Sequence, residues 1–267
     1  MIIIGNGRLI TRNAAEPYYE NGAVVTENEL IKETGTTAEM RLKYPDAEFV
    51  DAKGGVIMPA FINAHTHIYS ALARGLSIAG YNPTNFYEVL DGMWWKIDRS
   101  LTLEDTRRSA YTTIIDCIKT GCTTIFDHHA SFCQIEGSLF AIADAAKALG
   151  IRACLCYEVS ERDGEKKCDE SIEENRSFID YCERENDPML KAMFGGHALF
   201  TIGDKTFEKC VKANGGRTGF HIHVCEGMND VYDSMKNYGC RSVNRLMYND
   251  ILGERTLLGH CIHSLTN

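Results

Sequence analysis

Two patterns of apolar and polar residues share this chain, and the change between them falls near residue 55. Residues 1–54 read as short strands over 1–4, 8–11, 22–26, 30–34 and 48–51. Breaks are predicted at Gly5-Asn6-Gly7, Asn21-Gly22 and Glu27-Asn28, with one helical turn over 37–43. That predicts a small β-sandwich module. Beyond residue 55, strand-like apolar runs occur at 56–62, 122–126, 151–157, 190–194, 219–224 and 256–261. Between them lie helical stretches at 101–120, 137–149, 169–183, 204–214, 230–238 and 242–248. The first of these opens with a capping box, Thr102 to Asp105, and stops at Gly121. Alternating strands and helices build a parallel sheet. The expected fold is therefore α/β, a TIM-like (β/α) barrel that is incomplete, with about six of the usual eight strands. The expected boundaries are 1–54 for the β-sandwich module and 55–267 for a barrel truncated after strand six, as in a fragment of a longer protein. An insertion over 81–100 carries Trp94 and Trp95. Its aromatics read as helix core, with a substrate lid as the alternative.

Composition narrows the class. Of 267 residues 44% are apolar, enough for a large core, and the net charge of −9 argues against nucleic acid or an anionic membrane as partner. No apolar run approaches the roughly 20 residues a membrane-crossing helix needs. The eleven cysteines are scattered through periodic segments without the spacing of a disulfide framework. Reduced thiols in a cytoplasmic protein are expected.

The chemistry-bearing residues cluster at strand ends, where a barrel keeps its active groups. The first barrel strand leads to His65 and His67, two imidazoles spaced i, i+2 and so on one face. Neutral imidazoles converging there suit a divalent transition metal, zinc before iron. The second strand ends in Asp127-His128-His129, the third in Glu158, the fourth near His197, the fifth in His221-Ile-His-Val-Cys-Glu226, and the sixth in His260-Cys-Ile-His263. Of the pair on strand five, His223 is the outer and better placed to join His65 and His67. Glu226, in the loop beyond, could handle protons. His260 and His263 have opposite parity, so at most one faces inward. His128 and His263 read as structural, and Asp127 as a residue that caps a loop or orients a neighbour.

With these motifs in order, the sequence resembles the amidohydrolase superfamily. The stretches are Gly55-Val-Ile-Met-Pro-Ala-Phe-Ile-Asn-Ala-His-Thr-His67, Gly121-Cys-Thr-Thr-Ile-Phe-Asp127, His221-Ile-His-Val-Cys-Glu226 and Gly259-His-Cys-Ile-His263. They are similar to the branch of chlorotriazine hydrolases and guanine deaminase. Asp127-His-His-Ala-Ser131 and Tyr157-Glu-Val-Ser160 further resemble the aminohydrolases associated with selenium metabolism. The resemblance implies His65, His67 and His223 as metal ligands, Glu226 as proton shuttle and His260 as a hydrogen-bonding partner of water or substrate. It implies His197 as a substrate contact, and Trp94 is expected to be another. It also implies an aspartate ending an eighth strand as fourth ligand, which no residue here matches. A mononuclear site follows, because Lys191 sits at the opening of strand four rather than at its carboxyl end. The expected activity is hydrolysis of a non-peptide C–N bond in an N-heterocycle. The alternatives are a chlorohydrolase-type dehalogenase, or a catalytically incomplete fragment that binds metal or a partner without turnover. The expected partner is a small molecule, and a homodimer stays open.

Overall fold

The computed structural model describes residues 1–264, which fall into two compact units, Met1–Phe61 and Ile62 onward. In the first unit β1 (Ile2–Ile10) runs straight through the predicted break at Gly5-Asn6-Gly7. It pairs antiparallel with β2 (Tyr18–Glu27), which pairs antiparallel with β3 (Leu30–Thr36). Two short strands, β4 (Glu48–Asp51) and β5 (Val56–Ile57), lie parallel to β1. The glycines serve close approach rather than a turn. Asn6 takes a left-handed φ of 57° and the β1–β2 register shifts between Ile4 and Gly7, a bulge inside the strand. A Cβ on Gly7 would come within 2.8 Å of the Ile57 side chain, and one on Gly5 within 2.9 Å of Phe49. Helix α1 (Thr37–Lys43), opened by a Thr36–Glu39 capping box, lays Met40 over Ile3, Ala23 and Val25 to form this unit's core.

The apolar run 56–62, expected as one strand, is divided. Val56 and Ile57 belong to the first sheet as β5, and β6 is Phe61–Thr66 in a second sheet. Pro59 stands between them; having no N–H, it cannot donate to a ladder, and the chain changes sheets there.

The second unit is built of parallel strands. One sheet has the order β6, β7 (Cys122–His129), β8 (Arg152–Tyr157), β9 (Leu190–Ala192); the next has β10 (Phe194–Ala198), β11 (Phe220–Val224), β12 (Leu257–His260). The predicted fourth strand is thus two strands interrupted at Met193, and a parallel bridge from Val159 to Gly196 links the sheets. Five consecutive residues of β8, from Ala153 to Tyr157, are buried. Burial without alternation marks a strand covered on both faces, as helix-wrapped parallel sheets require.

Between β6 and the first long helix lie α2 (Phe86–Val89), a π turn over Leu90–Trp94 and α3 (Trp95–Asp98). The covering helices are α4 (Leu103–Lys119), α5 (Ser138–Leu149), α6 (Glu165–Glu185), α7 (Asp204–Asn214), α8 (Met228–Tyr238) and α9 (Ser242–Tyr248). The capping box of α4, Thr102 with Asp105, forms as the sequence predicts. One apolar core joins Ile114, Ile125, Leu139, Ile142, Leu155 and Phe178; a second joins Phe194, Phe207, Phe220, Ile222 and Leu246. All eleven cysteines are free thiols, and among the described residues no helix is long and apolar enough to cross a membrane.

Candidate metal centre and reaction pocket

Strands β6 and β11 bring three imidazoles to one point. His65 and His67 share a face of β6 because side chains alternate along a strand, and His223 arrives from β11. Their partners fix which nitrogen is free. His67 Nδ1 lies 2.8 Å from the His128 carbonyl, and His223 Nδ1 lies 2.8 Å from the His197 carbonyl. A carbonyl only accepts, so each Nδ1 carries the proton and each Nε2 keeps a lone pair. Those two Nε2 atoms face each other at 3.1 Å. His65 Nδ1 lies 2.7 Å from His221 Nε2, while its own Nε2 is buried without a partner.

All three histidines stay neutral at pH 7. Burial is the main cause throughout: it lowers the His65 pKa to about 4, lowers that of His67, and takes that of His223 well below the usual value. Potential ligand atoms of the three lie within 4.8 Å of one another. Two ligand nitrogens on a tetrahedral zinc stand about 3.3 Å apart. Lone pairs facing each other at such a distance repel unless a cation lies between them, and the donor set fits a divalent ion. Asp127, at the end of β7, holds the arrangement from behind. Its Oδ1 accepts from the backbone N–H of Ile68, the residue after His67, at 2.7 Å, and burial pushes its carboxyl up to about 8.

Glu226 follows the end of β11. Cys225 takes a left-handed φ of 52°, and its N–H donates to Asp230 Oδ2 at 2.6 Å. That corner aims Glu226 at the cavity beside the three histidines. Glu226 Oε2 lies 3.3 Å from His260 Nε2 at the end of β12. Burial raises the Glu226 pKa, and His260 opposes the shift.

The cavity has a volume of about 390 Å³. Every residue singled out for the site lines it: His65, His67, His223, Glu226, His260, His197 and Trp94. His197 turns Nδ1 to Thr201 Oγ1 at 2.7 Å. Trp94 stands edge-on to Tyr69. Three strand-end histidines do other work. His128 donates from Nε2 to the Gly196 carbonyl at 2.9 Å, His129 Nε2 pairs with Ser131 Oγ at 2.9 Å, and the backbone of His263 donates to Cys225. The Nε2 of His128 is thereby committed to the backbone, while a ring nitrogen of the same residue lies within 4.8 Å of potential ligand atoms of Glu158 and His223. Trp95, Phe200 and Glu158 also line the cavity; the sequence put Glu158 at a strand end and Trp95 in a segment that could form a lid, without a specific role for either, and did not single out Phe200. Phe200, in a short 3-10 turn after β10, gave no signal.

The chain belongs to the amidohydrolase family, whose pattern its residues 56–265 match, and residues 22–47 match an imidazolonepropionase-like composite domain of bacteria. Over 262 residues it is 30% identical to 5'-deoxyadenosine deaminase of Methanosarcina barkeri, covering 98% of this chain and 57% of that protein. The chain therefore spans little more than half the length of this relative. Among solved structures, an adenosine deaminase from Xanthomonas campestris with bound zinc superimposes with a TM-score of 0.81 at 21% identity, covering 99% of this chain and 58% of that one. Atrazine chlorohydrolase from Arthrobacter aurescens complexed with zinc gives 0.79 at 20% identity, covering 98% and 61%. At such identities the structures speak for the fold alone.

Proposed function

We propose that the protein is a metal-dependent aminohydrolase that removes an amino group from an N-heterocycle, with one divalent ion, zinc before iron, held by His65, His67 and His223. The observation that carries this reading is the pair of Nε2 lone pairs, His67 and His223, facing each other at 3.1 Å with both Nδ1 protons committed to carbonyls. An ion bound there supplies Lewis acidity, which makes water a competent nucleophile near neutral pH.

The chain's own groups do the rest. Glu226, its pKa raised by burial, takes the proton from the attacking water and delivers it to a ring nitrogen or the departing amine. His260, within 3.3 Å of that carboxylate, steadies it and the water. Trp94 packs on the ring, and His197, fixed by Thr201, meets its edge. Apolar walls at Phe86, Leu90 and Trp95 limit water to the reacting face. Deamination is favoured over dehalogenation because the relative with 30% identity is named a deaminase. A single ion is favoured because Lys191 lies at the start of β9, outside this cavity. Free thiols throughout support a cytoplasmic protein.

The test is ammonia release by the zinc-loaded chain from a panel of aminopurines and aminopyrimidines. Turnover is expected, with Glu226→Gln reducing it by about 10²–10⁴-fold while zinc content is unchanged. Stoichiometric zinc with no turnover on any member would overturn the hydrolase reading in favour of a chain that binds metal alone.

A further inference from the structure

Glu158 closes one wall of the cavity and has no place in the proton chemistry above. It follows β8, is 3% exposed, and its backbone N–H is tied to the His129 carbonyl at 2.8 Å. Oε1 accepts from Arg162 Nη2 at 3.1 Å, and the same nitrogen donates to Asp98 Oδ2 at 2.6 Å. The guanidinium of Arg162 is itself clamped, 4.2 Å from the Phe132 ring centre and 5.1 Å from that of Trp95. Oε2 is different. Its neighbour is His128 Nδ1 at 3.6 Å, beyond hydrogen-bond reach. That nitrogen is an acceptor as well, because His128 spends its proton from Nε2 on the Gly196 carbonyl. His128 Nδ1 is buried without a partner. A rigidly held carboxyl group thus lines the cavity beside a second acceptor, with no donor from the described residues on Oε2; burial pushes it up to about 8, so above that pH it meets a ligand as a carboxylate acceptor.

We propose that Glu158 is a specificity-determining residue that accepts a hydrogen bond from an N–H or amino group on the substrate ring, so that the pocket selects heterocycles carrying such a donor besides the amino group that leaves. Arg162 and Asp98 are positioning residues that aim the carboxylate. Potential ligand atoms of Glu158, His128 and His223 lie within 4.8 Å of one another, so this acceptor stands directly beside the metal centre. A buried acceptor that a substrate leaves unpaired disfavours that substrate strongly, whereas added apolar contact discriminates weakly.

This inference rests on the aminohydrolase reading for the orientation of the ring, but its test needs no turnover. Calorimetric binding to the zinc-loaded chain at about pH 9, where Glu158 is ionised, compares two pairs of ligands whose N9–H is blocked, 9-methyladenine with 9-methyl-2,6-diaminopurine and 9-methyl-2-aminopurine with 9-methylguanine, the second of each pair carrying the additional ring donor. The wild-type chain is expected to prefer the donor-richer member of at least one pair by about tenfold or more. Glu158→Leu should erase the preference and Glu158→Gln should weaken it, with zinc content unchanged in both. Should the leucine variant fail to fold, the glutamine variant still decides the matter. No preference in the wild-type chain, or a preference kept by the variants, overturns the assignment. Absent ammonia release with this preference intact would instead count against the hydrolase reading alone.

Discussion

The mouth of the sheet holds two groups of buried or half-buried histidines with the same composition and opposite uses. In one, His65, His67 and His223 spend one nitrogen each on a partner and turn the other toward a shared point. In the other, His128, His129 and His197 also spend one nitrogen each, on Gly196, Ser131 and Thr201. Their remaining nitrogens are not brought to one centre with each other. Burial lowers the pKa in both groups, to about 4 for His65 and about 3 for His129, so basicity does not tell them apart. What separates them is that the first three converge with each other, whereas of the second three only His128 comes within the same 4.8 Å of a ligand nitrogen, that of His223, together with Glu158. A shallow count of histidines at strand ends would have pooled all six.

The strongest way to break that contrast is His223→Ala. Removing one of three converging nitrogens should bring zinc to well under one ion per chain, measured by mass spectrometry on dialysed protein. A second-sphere change typically lowers metal affinity by about 10–100-fold, and loss of a ligand should exceed that. Unchanged zinc in this variant would dissolve the distinction between the groups.

A smaller effect is expected from the other group. His128→Ala leaves the Gly196 carbonyl without its donor and opens a cavity, which should destabilise the chain by about 2–4 kcal/mol in urea unfolding. Zinc content should stay near that of the wild type. Metal lost to the same extent as in His223→Ala would place His128 with the ligands.

The smallest effect sharpens the contrast between the histidines and the carboxylates beside them. Burial pushes the Glu158 carboxyl up to about 8 and that of Asp98 to about 6. In the unfolded chain both lie near about 4. Between these values the folded chain holds protons that the unfolded chain has released. Their contribution is therefore fully present below pH about 4 and is lost as the pH rises through about 8. Glu158→Gln cannot ionise, so its urea midpoint should fall less steeply over that window. Equal slopes for both chains would show that Glu158 is ionised throughout.

How far the sequence carried depended on which physical rule governed each stretch. The i, i+2 spacing of His65 with His67, and of His221 with His223, set their faces outright, because alternation along a strand is geometric. The capping box of α4 was equally readable, since Thr102 and Asp105 act within one turn. The run 56–62 misled because continuous apolarity cannot say which sheet a strand joins; Pro59 alone hinted at the division. At Gly5 and Gly7 the turn chemistry was real, but the neighbouring side chains of Phe49 and Ile57 determined its use. The sequence reads Trp94 and Trp95 together as helix core or lid; a π turn over Leu90–Trp94 leads into Trp95, and both line the cavity.

The backbone at Cys225 has a consequence of its own. A residue bearing a Cβ in the left-handed region costs about 1–2 kcal/mol where glycine would sit at ease. Glycine at this corner would also swing freely, and the carboxylate one residue on would have to be caught in the right direction by chance. With cysteine the bend has few alternatives, so folding itself carries out the aiming once, before any substrate arrives.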